Sequence, residues 1–310
     1  MHLLIPFASH DDEQARALLP TLQLPHLSAL MGRLDAGALD AGTAESKNPP
    51  HERALARLLC WTAQDGCAPW AAYGRFLQGK APGGKAWAEL TPCFWDVRTA
   101  HIQMGVPEDL QLSDAESQAL LTAMQPYFAG DGITVEYDNP TRWWASSPLF
   151  EGLATASLDR VVGGNTNDWM PEADAAKPLR RLQNEMQMLL YTHPVNEARI
   201  ARGALPVNSL WISGVGALQA APKAVDVRVL RDLAAPALRA DWAAWGAAWE
   251  QLDASVCKHA LSALKAKQPV QITLCGTSHA QSYGPAAKPV LERILRKIKP
   301  MSASNGLLSL

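Results

Sequence analysis

Between Leu179 and Gly216 the chain reads as a helix, a proline-marked turn, a short second helix, a strand and a Gly-x-Gly exit. Local rules fix each boundary of this stretch. Leu179, Leu182, Met186, Leu189 and Leu190 recur at helical spacing and make one apolar stripe. Arg180, Asn184, Gln187 and Tyr191 lie roughly on the opposite face. His193 precedes Pro194, and a residue before proline is pushed out of the α region, so the helix stops there. Asn196 suits the start of the next helix, and Gly203 suits its end. Val207 to Ile212 has the length and composition of a buried strand. Gly214 and Gly216 free the backbone to turn tightly or to admit a neighbour. Asn184, Gln187, His193, Asn196, Arg199, Asn208 and Ser209 form the candidate binding set. A solvated helix face with turn-capping side chains accounts for the same residues, and residue types alone favour that reading.

The same alternation runs through the rest of the chain. Strands are expected at Leu3–Phe7, as two strands around Pro92 between Ala86 and Met104 with Trp95, Val97 and Ile102 pairing across a hairpin, and at Ile133–Tyr137, Arg142–Ala145, Asp226–Leu230 and Val270–Leu274. Amphipathic helices are expected between them. Ser113 with Glu116 three residues on is a capping-box pattern at the start of one. Trp242, Trp245, Trp249, Leu252 and Val256 repeat along one helical stripe, which reads as core rather than as an aromatic cofactor box. Lys288–Ile298 reads as a basic amphipathic helix. Residues 35–50 read as a mobile surface loop and 301–310 as a loose tail. The expected fold is therefore α/β: a layered mixed or mostly parallel sheet flanked by helices. The whole of 1–300 reads as one domain, with a small inserted subdomain near 86–145.

Several function classes drop out. The 310 residues carry a net charge of -2, so there is no global electrostatic case for nucleic acid or an anionic membrane. No apolar run reaches the length of a membrane span, and the N-terminus lacks the basic start of a signal peptide. The five scattered cysteines show no C-x2-C pair, which fits buried thiols in a reducing cytoplasm. Gln78–Lys85 has the composition of a phosphate loop but not its Gly-Lys-Ser/Thr ending. Asn165-Thr166-Asn167-Asp168 matches no calcium-loop spacing. Gly214-Val215-Gly216 would open a dinucleotide fingerprint, but Gln219 stands where the third glycine belongs. Ser278 and His279 are adjacent, so they do not make a nucleophile–base pair. Cys275 with His193 elsewhere would be a thiol nucleophile and its base, against the plainer reading of a buried thiol.

A set of segments in order resembles the RpfE-type bacterial proteins, described as regulatory or phosphoglycerate-mutase-like: Leu90–Trp95, Asp114–Ile133, Pro140–Ala145, Thr155–Asn165, Arg181–Arg199, Pro206–Gly216 and Ile272–Gly276. More distantly, Leu24–Leu30 resembles the Pro-Asn-Leu helix start of cofactor-independent phosphoglycerate mutases and the alkaline-phosphatase-like superfamily. That likeness implies a site with two divalent metals held by Asp and His and a Ser or Thr nucleophile. The chain departs from it where the ligands belong. The first strand runs into Pro6-Phe7 instead of ending in Asp, and Leu274-Cys275-Gly276 stands for Asp-His-Gly. Relatives also carry His after the Thr-Pro of the Leu90 segment, where this chain has Phe94.

The expectation is a cytoplasmic, non-catalytic regulatory or ligand-binding protein with a degenerate phosphomutase-like fold, no cofactor and no metal. The segment Asn184 to Ser209 would take a small polar or phosphorylated ligand or a protein partner, with no nucleic acid and no membrane. The alternative is a phosphomutase or phosphatase acting on a small phosphorylated acid, with His193 and Arg199 on the phosphate.

Overall fold

The structure is a computed structural model that describes residues 1–81, 83–99, 101–171, 174–285 and 303–310. Its contacts fall into two compact units: Met1–Leu59 with Ala224–Leu310, and Cys60–Lys223. The chain thus divides at 59/60 and 223/224, rather than carrying a small insertion near 86–145.

The first unit is built on a five-stranded mixed sheet. Its strands are β1 (His2–Ile5), β2 (Asp35–Ala41), β9 (Val227–Val229), β10 (Gln271–Cys275) and β11 (His279–Gly284), in the order β2-β11-β10-β1-β9. β1 runs parallel to β9 and β10, with His2 opposite Gln271 and Ile5 opposite Leu274. β11 and β2 are antiparallel additions. Leu3, Leu4 and Ile5 are fully buried, as a parallel strand covered on both faces requires. The stretch read as a mobile loop at 35–50 contains β2. Its Ala, Gly and Asp residues have little strand preference, and pairing with β11 decides its conformation.

Helices α1 (Glu13–Leu18), α2 (Pro25–Met31) and α3 (Pro50–Leu58) belong to this unit, as do α9 (Ala234–Leu238), α10 (Trp242–Leu252) and α11 (Lys258–Lys265). Trp245 and Trp249 are fully buried in the same apolar cluster as Leu3, Ile5 and Ile272, so the tryptophan stripe is core. Between α10 and α11 the chain makes one π-helical turn, Asp253–Cys257. Its first residue, Asp253, accepts from the backbone N–H groups of His26 (3.2 Å) and Leu27 (2.7 Å) and pairs with His26 Nδ1 at 2.8 Å. A carboxylate distant in sequence therefore caps α2, whose own N-cap, Leu24, has no side-chain acceptor. The basic helix expected at Lys288–Ile298 lies outside the described residues. The tail is not loose: Ala303–Leu307 is helical (α12), Leu307 is fully buried and Leu310 nearly so.

The second unit holds a four-stranded antiparallel sheet, β6-β7-β3-β8, made from β3 (Ala86–Cys93), β6 (Thr134–Asn139), β7 (Arg142–Ser146) and β8 (Ser209–Ala217). A separate hairpin of β4 (Trp95–Val97) and β5 (Ile102–Met104) pairs Val97 with Ile102, as the sequence suggests. The helices are α4 (Trp70–Leu77), α5 (Asp114–Gly130), α6 (Leu158–Val161), α7 (Lys177–Tyr191) and α8 (Pro194–Ala201). Ser113 and Glu116 form the expected capping box at α5. The apolar stripes of α5 and α7 meet in one cluster: Leu120, Met124 and Phe128 with Leu182, Met186 and Leu190. β8 runs on through the Gly-x-Gly instead of ending before it. Gly214 has φ 62°, and a Cβ there would sit 3.1 Å from the Ala71 amide nitrogen, so the glycines admit the start of α4. Among the described residues no helix is long and apolar enough to cross a membrane.

Candidate functional site

Two places could carry function: the polar segment at 179–216 in the second unit, and the C-terminal ends of β1 and β10 in the first.

In the polar segment, most side chains named from the sequence are committed to the fold. Asn196 is buried. Its Nδ2 donates to the carbonyls of Leu190 (2.8 Å) and Val207 (2.6 Å), and its Oδ1 accepts from the Val207 N–H at 2.9 Å. It thereby ties the end of α7 to the start of the strand segment. Arg199 is completely buried. Its Nε donates to the Leu205 carbonyl (2.7 Å), its Nη1 to Glu116 Oε1 (3.0 Å) and its Nη2 to the Leu110 carbonyl. Asn208 accepts from the Trp95 N–H (2.7 Å) and donates back to the Trp95 carbonyl (2.9 Å), joining β8 to the β4–β5 hairpin. Ser209 is buried and receives Gln187 Nε2 at 3.3 Å. His193 uses Nδ1 to accept from the Val195 N–H and caps α8, and partial burial lowers its pKa. Asn184 stands exposed on the outer face of α7. The candidate set is thus shared among separate partners, and only Gln187 and Ser209 of the seven are directly bonded to each other.

Glu116 is the functional-looking residue that sequence reading assigned to capping alone. Burial would raise its pKa. The Ser113 N–H, the Arg202 guanidinium, the Ser113 hydroxyl and Arg199 together outweigh that and bring the carboxyl down to about 2. The capping-box pattern pointed to Ser113, but nothing in the local sequence points to Arg199 and Arg202 as its partners.

The strand ends in the first unit are where the mutase resemblance places its ligands. β1 leaves the sheet through Pro6 and Phe7, and Phe7 has a positive φ of 55°. The carbonyls just past the strand are already satisfied. Trp245 Nε1 donates to Phe7 O (2.9 Å) and Trp249 Nε1 to Ala8 O (3.2 Å). The Ala8 N–H in turn donates to Cys275 O at 2.7 Å. Phe7 packs its ring 5.6 Å from that of His51. Cys275 is fully buried. Burial pushes its thiol pKa up and nearby Asp40 adds to that, so the thiol stays protonated. A Cβ on Gly276 would lie 2.7 Å from the backbone oxygen of Leu310, so the 303–310 segment sits directly on the position after Cys275.

The charges near these strand ends are also engaged. Asp40 on β2 accepts from Arg53 Nε (3.1 Å) and Arg57 Nη1 (2.7 Å). Arg53 also donates to the carbonyls of Asn48 (2.9 Å) and Ser278 (2.8 Å). Burial alone would raise the Asp40 pKa, but the two guanidiniums hold it below the ordinary carboxylate range. Sequence reading missed this cluster because Asp40 lies in the stretch taken for a loop. A pair of divalent ions needs several hard oxygen or imidazole donors converging. Proline, phenylalanine and a protonated buried thiol supply none, and among the described residues no three His, Cys, Asp or Glu side chains group to hold a metal. The residues present do not fit the two-metal site.

No family model matches the chain. Over 109 residues it is 27% identical to a protein of Geobacter sulfurreducens described as a probable 2,3-bisphosphoglycerate-independent phosphoglycerate mutase. The chain is distantly similar to cofactor-independent phosphoglycerate mutases. The match spans 34% of this chain and 27% of that relative's length. Among solved structures, the cofactor-independent phosphoglycerate mutase of Thermoplasma acidophilum aligns with 99% of this chain and 97% of its own, at 13% identity and a TM-score of 0.39. The PH0037 protein of Pyrococcus horikoshii aligns over 92% and 87%, at 12% identity and a TM-score of 0.45.

Proposed function

We propose that this chain is a non-catalytic relative of the phosphoglycerate mutases, a cytoplasmic regulatory or ligand-binding protein of RpfE type. One observation carries the reading. At the paired ends of β1 and β10, where mutase-type chemistry needs metal-binding carboxylates and imidazoles, the chain has Pro6-Phe7 and Cys275-Gly276, with Leu310 packed on the glycine. Such a site can neither hold two divalent ions nor open a face to a phosphorylated acid. The polar groups of 179–216 bear on the non-catalytic half of this reading alone: Asn196, Arg199 and Asn208 hold the fold together instead of facing a substrate, so a ligand or partner would bind through other residues.

The alternative, a phosphomutase or phosphatase with a rebuilt site, draws its support from the described activity of the Geobacter relative. Elemental analysis of the purified protein separates the two. It is run with thermal shifts against Mn²⁺, Zn²⁺ and phosphorylated three-carbon acids, and with a direct mutase assay. The non-catalytic reading expects no stoichiometric metal, no stabilisation and no turnover. Near-stoichiometric metal with phosphate-dependent stabilisation would replace it with the enzyme.

A further inference from the structure

We infer that a narrow cleft beside the start of α7, lined by Thr155 and Arg180, binds a short aliphatic monocarboxylate. The inference goes beyond the proposed function, because binding at this cleft stands whether or not the first unit catalyses a reaction.

The cleft lies wholly within the second unit. Its walls are mostly apolar: Leu153, Met170, Leu179, Trp211 and Ile212. Two of its polar groups are used by the fold. Gln183 Nε2 donates to the Leu210 carbonyl at 2.7 Å, and Trp211 Nε1 donates to the Ala156 carbonyl at 3.1 Å. Two others are not. Thr155 is only 3% exposed, and among the described residues its hydroxyl has no hydrogen-bond partner. The Thr155 N–H is bonded to the Gly66 carbonyl at 2.9 Å, which fixes the backbone from which that hydroxyl projects. Buried polar side-chain atoms are nearly always bonded, so one left over in the wall of a cleft marks a place for an atom from outside. Arg180 lines the same cleft and makes no ion pair or hydrogen bond among the described residues. Its neighbour Arg181, by contrast, is paired with Asp131.

These groups select the chemistry of the occupant. A guanidinium without a counter-charge and a hydroxyl without an acceptor both suit a carboxylate, which accepts from each. Leu179 and Arg180 belong to the first turn of α7, whose N-cap Ala176 offers no side-chain acceptor, so the positive end of the helix adds to the charge of Arg180. The apolar walls call for a hydrocarbon body on the acid. Size sets its length. About 20 Å³ of the cleft takes the centre of a water-sized group, and the free space around it amounts to about 320 Å³ and opens to solvent. A sugar or nucleotide is too large for that room. Inorganic phosphate has more acceptors than the two free donors satisfy, and it would leave the apolar walls uncovered.

The test titrates sodium butyrate into the full chain against matched sodium chloride, read by NMR of the Met170 and Ile212 methyl groups. Both should shift saturably, with half-saturation at about 1 mM. Butanol and butylammonium, which share the hydrocarbon body, should need about 10-fold more or show no saturation. Arg180→Gln should raise the half-saturation point by about 10-fold or more. Thr155→Val keeps the shape and removes the hydroxyl, and should raise it by about 3-fold or more without lowering Tm. Absence of a saturable shift, equal shifts with butanol, or binding that survives Arg180→Gln would overturn the assignment. Phosphate binding as tightly as butyrate would overturn it in favour of a general anion site. A fall in Tm for Thr155→Val would show that the hydroxyl already has a partner, and would also overturn it.

Discussion

Glu116→Gln removes one charge from a buried network while keeping the shape of the side chain. Arg199 is fully buried and among the described residues is neutralised by this carboxylate, its other donors going to the carbonyls of Leu205 and Leu110. The fall in the Glu116 pKa from an ordinary 4.5 to about 2 corresponds to about 3 kcal/mol of preference for the ionised form in the folded chain. Arg202 is about half exposed, so part of that is screened, and the expected loss on substitution is about 1–3 kcal/mol. The folded pKa lies below the unfolded one. The contribution is therefore complete above about pH 4.5, declines as pH falls towards 2, and is largely gone below it. Amide exchange over 113–130 and 194–201 is the assay, because it reads this network without mixing in the other unit. Exchange of the slowest amides there should speed up by about 5- to 100-fold at pH 7. Chemical denaturation at pH 7 and pH 2.5 should show the gap between wild type and variant narrowing in acid. A change under about 0.3 kcal/mol at pH 7, or a gap that stays constant down to pH 2, would refute the reasoning.

Other substitutions test the remaining contacts. Asn196→Ala leaves two carbonyls and one N–H without their partner in a buried site, and should cost about 2–4 kcal/mol in thermal or urea denaturation. Asn184→Ala, on the exposed face of α7, should stay within about 0.5 kcal/mol. Trp245→Phe removes the donor to Phe7 O and leaves a void in the core, and should destabilise the first unit by about 2–4 kcal/mol. Gly276→Ala should force the 303–310 segment aside, at a cost of about 1–3 kcal/mol and with new proteolytic cleavage there. The same substitution should be close to neutral in a chain truncated after residue 302, and an equal cost in both backgrounds would show that Leu310 is not what the added methyl meets.

What the sequence conveyed was local. The capping box at Ser113, the Val97–Ile102 pair, the stop at His193-Pro194 and the tryptophan stripe all follow from spacing or from a single side chain's chemistry, and all appear in the structure. β2 escaped because its Ala, Gly and Asp composition says loop, and only β11, far along the chain, makes it a strand. The tail escaped for a similar reason: Leu307 and Leu310 look like a few apolar residues at an end until the groove that takes them is known. In the candidate site the residue types could be named from the sequence but their use was not legible. Asn196 and Arg199 have the chemistry of ligand-binding groups, and only the positions of Val207, Leu205 and Glu116 show that backbone and carboxylate have claimed them.

The parallel pairing of β1 with β10 sets an order of assembly. His2 meets Gln271, so β1 must wait, during synthesis, for a partner strand about 270 residues further along. The second unit, Cys60–Lys223, is continuous and has every strand of its sheet in hand well before then. It can fold first on the ribosome, while Leu3, Leu4 and Ile5 remain uncovered and exposed to chaperones or to aggregation. A ribosome stalled near residue 230 should therefore display one finished body and one unsatisfied apolar strand. A circular permutant with joined termini, reopened just before β10, brings β10 and β1 close in sequence and should speed refolding without changing what is finally built.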